Sequence, residues 1–195
     1  MERIQFSHII QQLNTNKVIL LSGPRLAGKE IIAQRCIQEY AKETLQIDLG
    51  NKKERKVLEE ASAGDLVHTF KNFQLVVIHE AQYLSNLQTI IEEVLSGSIE
   101  STLLLTCSFE PLLDELLKEV LDLQQLHFKI LPLSFYELAQ ANGLPKEEKL
   151  LEQRIIYGNY ASVIESLENA KEILEHLLDT IIVTDLGVTD RINKR

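Results

Sequence analysis

The chain has no tryptophan, two cysteines and no unbroken apolar run of about eighteen residues or more. The last absence excludes a membrane-spanning helix. Cys36 and Cys107 lie far apart, each in an apolar setting, which excludes a disulfide framework. Two reduced, buried thiols in a cytoplasmic protein are expected instead. Residues 1–5 lack the charged-then-apolar layout of a secretory signal. Basic charge is also scarce, and the formal net charge is −9. Proteins that bind nucleic acid through their bulk surface need a basic excess, because phosphate neutralisation drives that affinity. Nucleic acid is therefore not an expected partner. One short basic cluster, Lys52-Lys53-Glu54-Arg55-Lys56, reads as a solvated loop or helix end. There is no internal repeat and no low-complexity tract.

What is present is an ordinary globular composition, 45% apolar over 195 residues. That suits one α/β domain, alone or with a small helical appendage. Apolar residues at helical spacing (Phe6, Ile9, Ile10, Leu13) precede the turn Asn14-Thr15-Asn16. The run Val18-Ile19-Leu20-Leu21 reads as a buried strand. Helical spacing returns from Lys29 to about Lys42. Further strands are expected at residues 45–49, 75–78, 103–106 and 127–131. Helical patterns occupy residues 53–71, the stretch around Leu87 to Val94, and a segment starting near Pro111. Strands alternating with helices imply a parallel sheet covered on both faces. Beyond Pro132, Ser134 and Glu137 make a capping-box pattern, and residues 147–179 carry helical periodicity. Residues 184–195 lose it.

The run Gly23-Pro24-Arg25-Leu26-Ala27-Gly28-Lys29 fits the first seven positions of G-x-x-x-x-G-K-[ST], between a strand and a helix as that motif requires. Its glycines let the backbone curl so that N–H groups point into a ring. With the helix N-terminus, those donors form an anion site. Lys29 is placed to reach the β- and γ-phosphates as a mobile charge. The next position, normally a Mg²⁺-holding Ser or Thr, is Glu30. A like-charge contact at about 4 Å costs roughly 1 to 4 kcal/mol. Glu30 either ligates a metal that offsets this or complements the positive helix end. The strand at 75–78 runs into His79-Glu80, where P-loop enzymes place a Mg²⁺-supporting Asp. Glu80 keeps the type expected of a water-activating base. His79 lacks the hard anionic oxygen Mg²⁺ prefers, and one histidine makes no metal site. It reads as a hydrogen-bonded strand-end residue.

Together these residues resemble bacterial and archaeal P-loop proteins of the AAA+ superfamily that carry a C-terminal domain of uncharacterised function. The resemblance covers nearly the whole chain. It rests on the Gly-Pro-Arg start of the loop, on His79-Glu80 where the family has Asp-Glu, and on Thr106-Cys107-Ser108 where it has Thr-Gly-Ser. Leu131-Pro132-Leu133-Ser134-Phe135-Tyr136-Glu137 is similar to the family's Leu-Pro-Leu-Ser-Phe-x-Glu, and Tyr157-Gly158-Asn159-Tyr160 looks like its Gly-Gly-Tyr-Pro region. The resemblance implies that Gly23, Pro24, Arg25, Leu26, Ala27, Gly28 and Lys29 bind ATP phosphates, with Glu30 beside them. It makes Glu80 the catalytic carboxylate and puts Thr106 or Ser108 where a polar residue senses the γ-phosphate. A strand-end hydroxyl bonded to backbone is the other reading of Thr106. The family's Gly-Arg pair is not found; that neighbourhood reads Leu117-Lys118-Glu119-Val120, and no arginine finger can be named. The family's C-terminal domain is also missing, so the chain is either truncated or a short, degenerate member. Its ending after a clear helical region favours truncation.

The expected architecture is an α/β P-loop fold of the AAA+ type: a parallel sheet of about five strands flanked by helices, with a C-terminal helical lid. The expected division is a core at 1–133 and a lid region at 134–195. Both protein handles on Mg²⁺ are altered together, so hydrolysis should suffer more than binding. The leading expectation is an ATP-binding domain with weak or absent hydrolysis. The alternatives are a scaffold that binds no nucleotide and an active ATPase using Glu30 as metal ligand. A protein partner or a homo-oligomer is the expected kind of association.

Overall fold

The computed structural model of the chain describes residues 2–15, 17–40, 43–108 and 126–182. The helix expected near Pro111, the 117–120 neighbourhood and the tail from 184 lie outside them. The described residues group into two compact units. One holds the described residues of 5–23 and 29–129, and the other holds 2–4, 24–28 and 130–182.

The first unit is built on a five-stranded parallel sheet. Its strands are β1 (Val18–Ser22), β2 (Thr44–Asp48), β3 (Leu75–His79), β4 (Thr102–Cys107) and β5 (His127–Lys129). Their spatial order is β2-β3-β4-β1-β5, so β1 lies inside the sheet between β4 and β5. Every pairing is parallel, which brings the carboxyl ends of all five strands to one edge. Ligands of open α/β sheets bind at that edge. The β5 strand is shorter than the expected 127–131 for a pairing reason. His127, Phe128 and Lys129 pair with Leu20, Leu21 and Ser22, and β1 ends there.

Alternation along the strands sorts side chains to two faces. Val18, Leu20, Val76, Ile78, Leu103, Leu105 and Cys107 join one buried cluster with Leu58, Leu66, Phe70, Ile90 and Val94. Those partners come from α3 (Lys52–Glu60), α4 (Ala63–Phe70) and α5 (Leu87–Leu95). Ile19, Leu21, Leu75, Val77 and Leu104 are buried on the opposite face. There, α1 (Phe6–Leu13) and α2 (Lys29–Tyr40) pack on the sheet and on each other. Burying each such side chain is worth about 1.5 to 3 kcal/mol, so both faces favour this register. Neither cysteine is in a disulfide, and both are buried. Burial first, then the nearby Glu39 charge, pushes the Cys36 thiol up to about 12. No helix among the described residues is long and apolar enough to cross a membrane.

The mostly helical stretch expected at 53–71 holds two helices, α3 and α4. The break follows from Ser62, whose hydroxyl accepts from the Asp65 N–H while the Asp65 carboxylate accepts from the Ser62 N–H. That reciprocal cap starts a new helix.

The second unit carries α6 (Phe135–Asn142), α7 (Leu144–Lys149), α8 (Leu151–Tyr157), α9 (Ala161–Glu165) and α10 (Ala170–Thr180). The Ser134–Glu137 capping box forms as expected, with Glu137 N–H donating to Ser134 Oγ at 3.2 Å and Ser134 N–H donating to the carboxylate at 2.8 Å. Gly143 and Gly158, both at positive φ, end α6 and α8.

Candidate functional site

The phosphate-loop segment leaves β1 at Ser22 and enters α2 at Lys29. Gly23 and Gly28 adopt φ of 148° and 99°, a range L-side chains rarely enter. Between them Leu26 sits at φ 60° with its side chain exposed, and the Ala27 N–H closes a turn on the Pro24 carbonyl at 3.2 Å. The Gly23 N–H donates to the Cys107 carbonyl at 3.1 Å, fixing the loop's departure to the end of β4. Lys29 is fully buried, and its Nζ donates to the Gly23 carbonyl at 2.9 Å. Glu30 is exposed in the first turn of α2, where a carboxylate complements the helix N-terminus.

A second hydrogen-bonded group lies at the carboxyl ends of β3 and β4. Glu80 directly follows β3 in the left-handed conformation, φ 56° and ψ 44°. A non-glycine residue held there costs about 1 to 3 kcal/mol, and such strain concentrates at functional positions. One Glu80 carboxylate oxygen accepts from the Ser108 hydroxyl at 2.5 Å. The other accepts from the Gln82 amide at 2.7 Å. The Glu80 N–H donates to Thr106 Oγ1 at 3.3 Å, and that hydroxyl lies 3.5 Å from His79 Nδ1. Along the same sheet edge, Ser22 Oγ is 2.6 Å from His127 Nε2.

The structure thus joins Glu80, Thr106, His79 and Ser108, as the sequence motifs group them. Gln82 has no motif to announce it. Its spacing of two from a candidate base is the only cue, and the tight turn after Glu80 makes that spacing meaningful. Thr106 takes part in the backbone bond of its plainer reading. Lys29 sits where a strand–loop–helix motif puts its lysine.

The segment Pro24–Gly28 belongs to the helical unit, where Arg3 reaches it. Arg3 Nη1 donates to the Ala27 carbonyl at 2.8 Å, Nη2 to the Leu131 carbonyl at 2.6 Å, and Nε lies 3.0 Å from a Glu137 oxygen. Neither Arg3 nor Glu137 in this role carries a sequence signature, because two of the three partners are main-chain atoms.

Compared with known proteins, residues 15–139 match the family described as an AAA domain. The chain belongs to that family. An uncharacterised protein of Haemophilus influenzae is 24% identical over 92% of this chain and 48% of its own length. The AAA chain therefore spans about half the length of that curated relative. Among solved structures, the Walker-type ATPase of Pyrococcus abyssi superposes with a TM-score of 0.58 at 16% identity, covering all of this chain and 76% of the other. A DNA replication initiation factor superposes with a TM-score of 0.50 at 15% identity, over 96% and 63%. At those identities the likeness concerns the fold, a P-loop NTPase α/β fold with a parallel sheet flanked by helices. P-loop families of this kind generally bind ATP with Mg²⁺.

Proposed function

We propose that this AAA domain binds ATP through residues 23–29 and hydrolyses it weakly or not at all. The observation that carries the reading is the loop itself: two glycines at positive φ around a curled segment, leading into a helix headed by Lys29. Backbone donors at a helix N-terminus and one lysine suffice to hold polyphosphate. Glu80 is then the carboxylate positioned to polarise water, and Thr106 or Ser108 the polar residue that registers the γ-phosphate. When bound, Mg²⁺ would neutralise charge on the β- and γ-oxygens. The chain's donors do not fit that role. Glu30 replaces the metal-holding hydroxyl and is exposed, and His79 replaces the supporting Asp, with its Nδ1 turned to Thr106. Both oxygens of Glu80 already accept hydrogen bonds, from Gln82 and Ser108.

One observation favours a second reading, a scaffold that takes no nucleotide: Lys29 is fully buried against the Gly23 carbonyl. Calorimetry and thermal shift with ATP and ADP, with and without Mg²⁺, separate the two. The proposal expects saturable ATP binding that is little changed by Mg²⁺, lost in Lys29→Ala, and accompanied by little phosphate release. No binding at millimolar nucleotide leaves the scaffold. Rapid Mg²⁺-dependent phosphate release would instead show an active ATPase, with Glu30 as the candidate metal ligand.

A further inference from the structure

Arg3 makes a contact pattern that the phosphate-binding chemistry above does not use. We infer that Arg3 is the positioning residue of the phosphate loop, and that Glu137 holds Arg3 in place for it. The argument begins with the peptide between Ala27 and Gly28. A trans peptide is planar, so its C=O and N–H point in opposite directions. Arg3 Nη1 holds the Ala27 carbonyl at 2.8 Å, which aims the Gly28 N–H away from the guanidinium. The orientation of one loop donor is thereby fixed by a residue more than twenty positions upstream.

Gly28 itself testifies to the closeness of this contact. A Cβ at residue 28 would lie 3.2 Å from Arg3 Nη1, tighter than ordinary side-chain packing allows. The φ of 99° by itself favours glycine here, and the guanidinium beside it leaves only tight space for a Cβ.

Glu137 is the second half of the device. It is buried, and its Oε1 accepts from the Ile4 N–H at 3.0 Å and pairs with Arg3 Nε at 3.0 Å. Its Oε2 accepts from the Ser134 N–H and hydroxyl. On the carboxylate, a capping box needs only the bond from the Ser134 N–H. The remaining oxygen fixes Arg3, whose rigid planar fork then spans Ala27 and Leu131. A lysine offers a single flexible ammonium and cannot hold all three partners in one plane. The loop, the N-terminal residues and the start of α6 are thus one hydrogen-bonded assembly within the helical unit.

The role in nucleotide binding rests on the proposed function; the positioning of Gly28 does not, and the test separates them. In the full chain, the ¹⁵N relaxation of the Gly28 amide is compared among wild type, Arg3→Ala and Arg3→Lys, with the buried Val163 amide in α9 as reference. ATP affinity is measured on the same samples. The inference expects the Gly28 order parameter to fall from about 0.85 to below about 0.6 in Arg3→Ala, with Val163 unchanged. It expects the Arg3→Lys value to lie between, and ATP affinity to weaken at least tenfold in Arg3→Ala. If Arg3→Ala does not fold, Arg3→Lys is read in its place: a measurable fall in Gly28 order and in ATP affinity supports the inference, and no change in Gly28 order overturns it. Unchanged Gly28 order overturns the inference, as does unchanged affinity in a chain whose wild type binds ATP. Wild-type failure to bind ATP ends the proposed function, while a loss of Gly28 order still supports the positioning role.

Discussion

Single residues carry the tension of this fold in their backbone angles. Leu26 holds φ 60° with its side chain more than half exposed. Left-handed backbone costs an ordinary L-residue roughly 1 to 2 kcal/mol, and asparagine pays least after glycine. Little packing is lost by removing an exposed leucine. Leu26→Asn should therefore raise stability by about 0.5 to 1 kcal/mol, measured as a higher urea midpoint with an unchanged slope. A lower midpoint would mean that Leu26 makes a contact worth more than its strain. At this scale the sequence displays candidates only where a side-chain type at a fixed spacing makes a motif. Lys29, Glu80 and the Thr106–Ser108 pair announced themselves through motif spacing. Arg3 could not, since its work is done on the carbonyls of Ala27 and Leu131, which every residue type offers equally.

Among the helices, local signals decided boundaries and long-range pairs decided strength. Ser134-x-x-Glu137 was legible as a cap and is one. Ser62-Ala63-Gly64-Asp65 is the same kind of signal, and it divides the helical stretch at 53–71 in two. The link between α7 and α8 is less visible in sequence. Glu147, fully buried, accepts from Arg154 Nε at 3.0 Å and Nη2 at 3.3 Å, and from Asn142 at 2.7 Å. Removing one partner of a buried pair strands the other charge, at a cost of about 3 to 5 kcal/mol. Arg154→Ala should show that loss in urea unfolding. The double change Glu147→Leu with Arg154→Met should recover most of it, because apolar replacements of similar volume are tolerated where a lone charge is not. Equal losses in the single and double variants would show that packing rather than charge is at stake.

For the molecule as a whole, two buried carboxylates set the acid limit. Burial is the largest influence on Glu137 and by itself would raise its pKa. The backbone N–H groups of Ser134 and Ile4, the Ser134 hydroxyl and Arg3 together outweigh it and hold the carboxyl below the usual range. For Glu147 the Arg154 hydrogen bonds come first, then burial in opposition, then Asn142, and the net direction is again downward. A carboxyl with a depressed folded pKa stabilises fully above its unfolded value, near 4.5 for both groups. That stability is lost as pH falls through the folded pKa, because the unfolded chain binds more protons. Urea midpoints should hold steady down to about pH 5 and drop below it. Glu137→Gln should be less stable at neutral pH and show a shallower acid decline. A flat profile down to pH 3 would count against these pairs as the cause. The whole-molecule fold was the most legible level of all, since strand–helix alternation specifies a covered parallel sheet. The strand order was not legible, because apolar runs such as 18–21 and 103–106 look alike until their neighbours are known.

That strand order has a consequence in time. The strand that launches the phosphate loop is flanked by β4 and β5, which emerge about eighty and one hundred residues later in synthesis. At roughly 5 to 20 residues per second, β1 waits on the order of 4 to 16 seconds for its first neighbour. During that interval the loop has no sheet edge to rest on, and Val18 to Leu21 are an unpaired apolar segment. The domain is thus born with its phosphate loop unfinished, and a nascent chain has reason to be shielded there until β4 arrives.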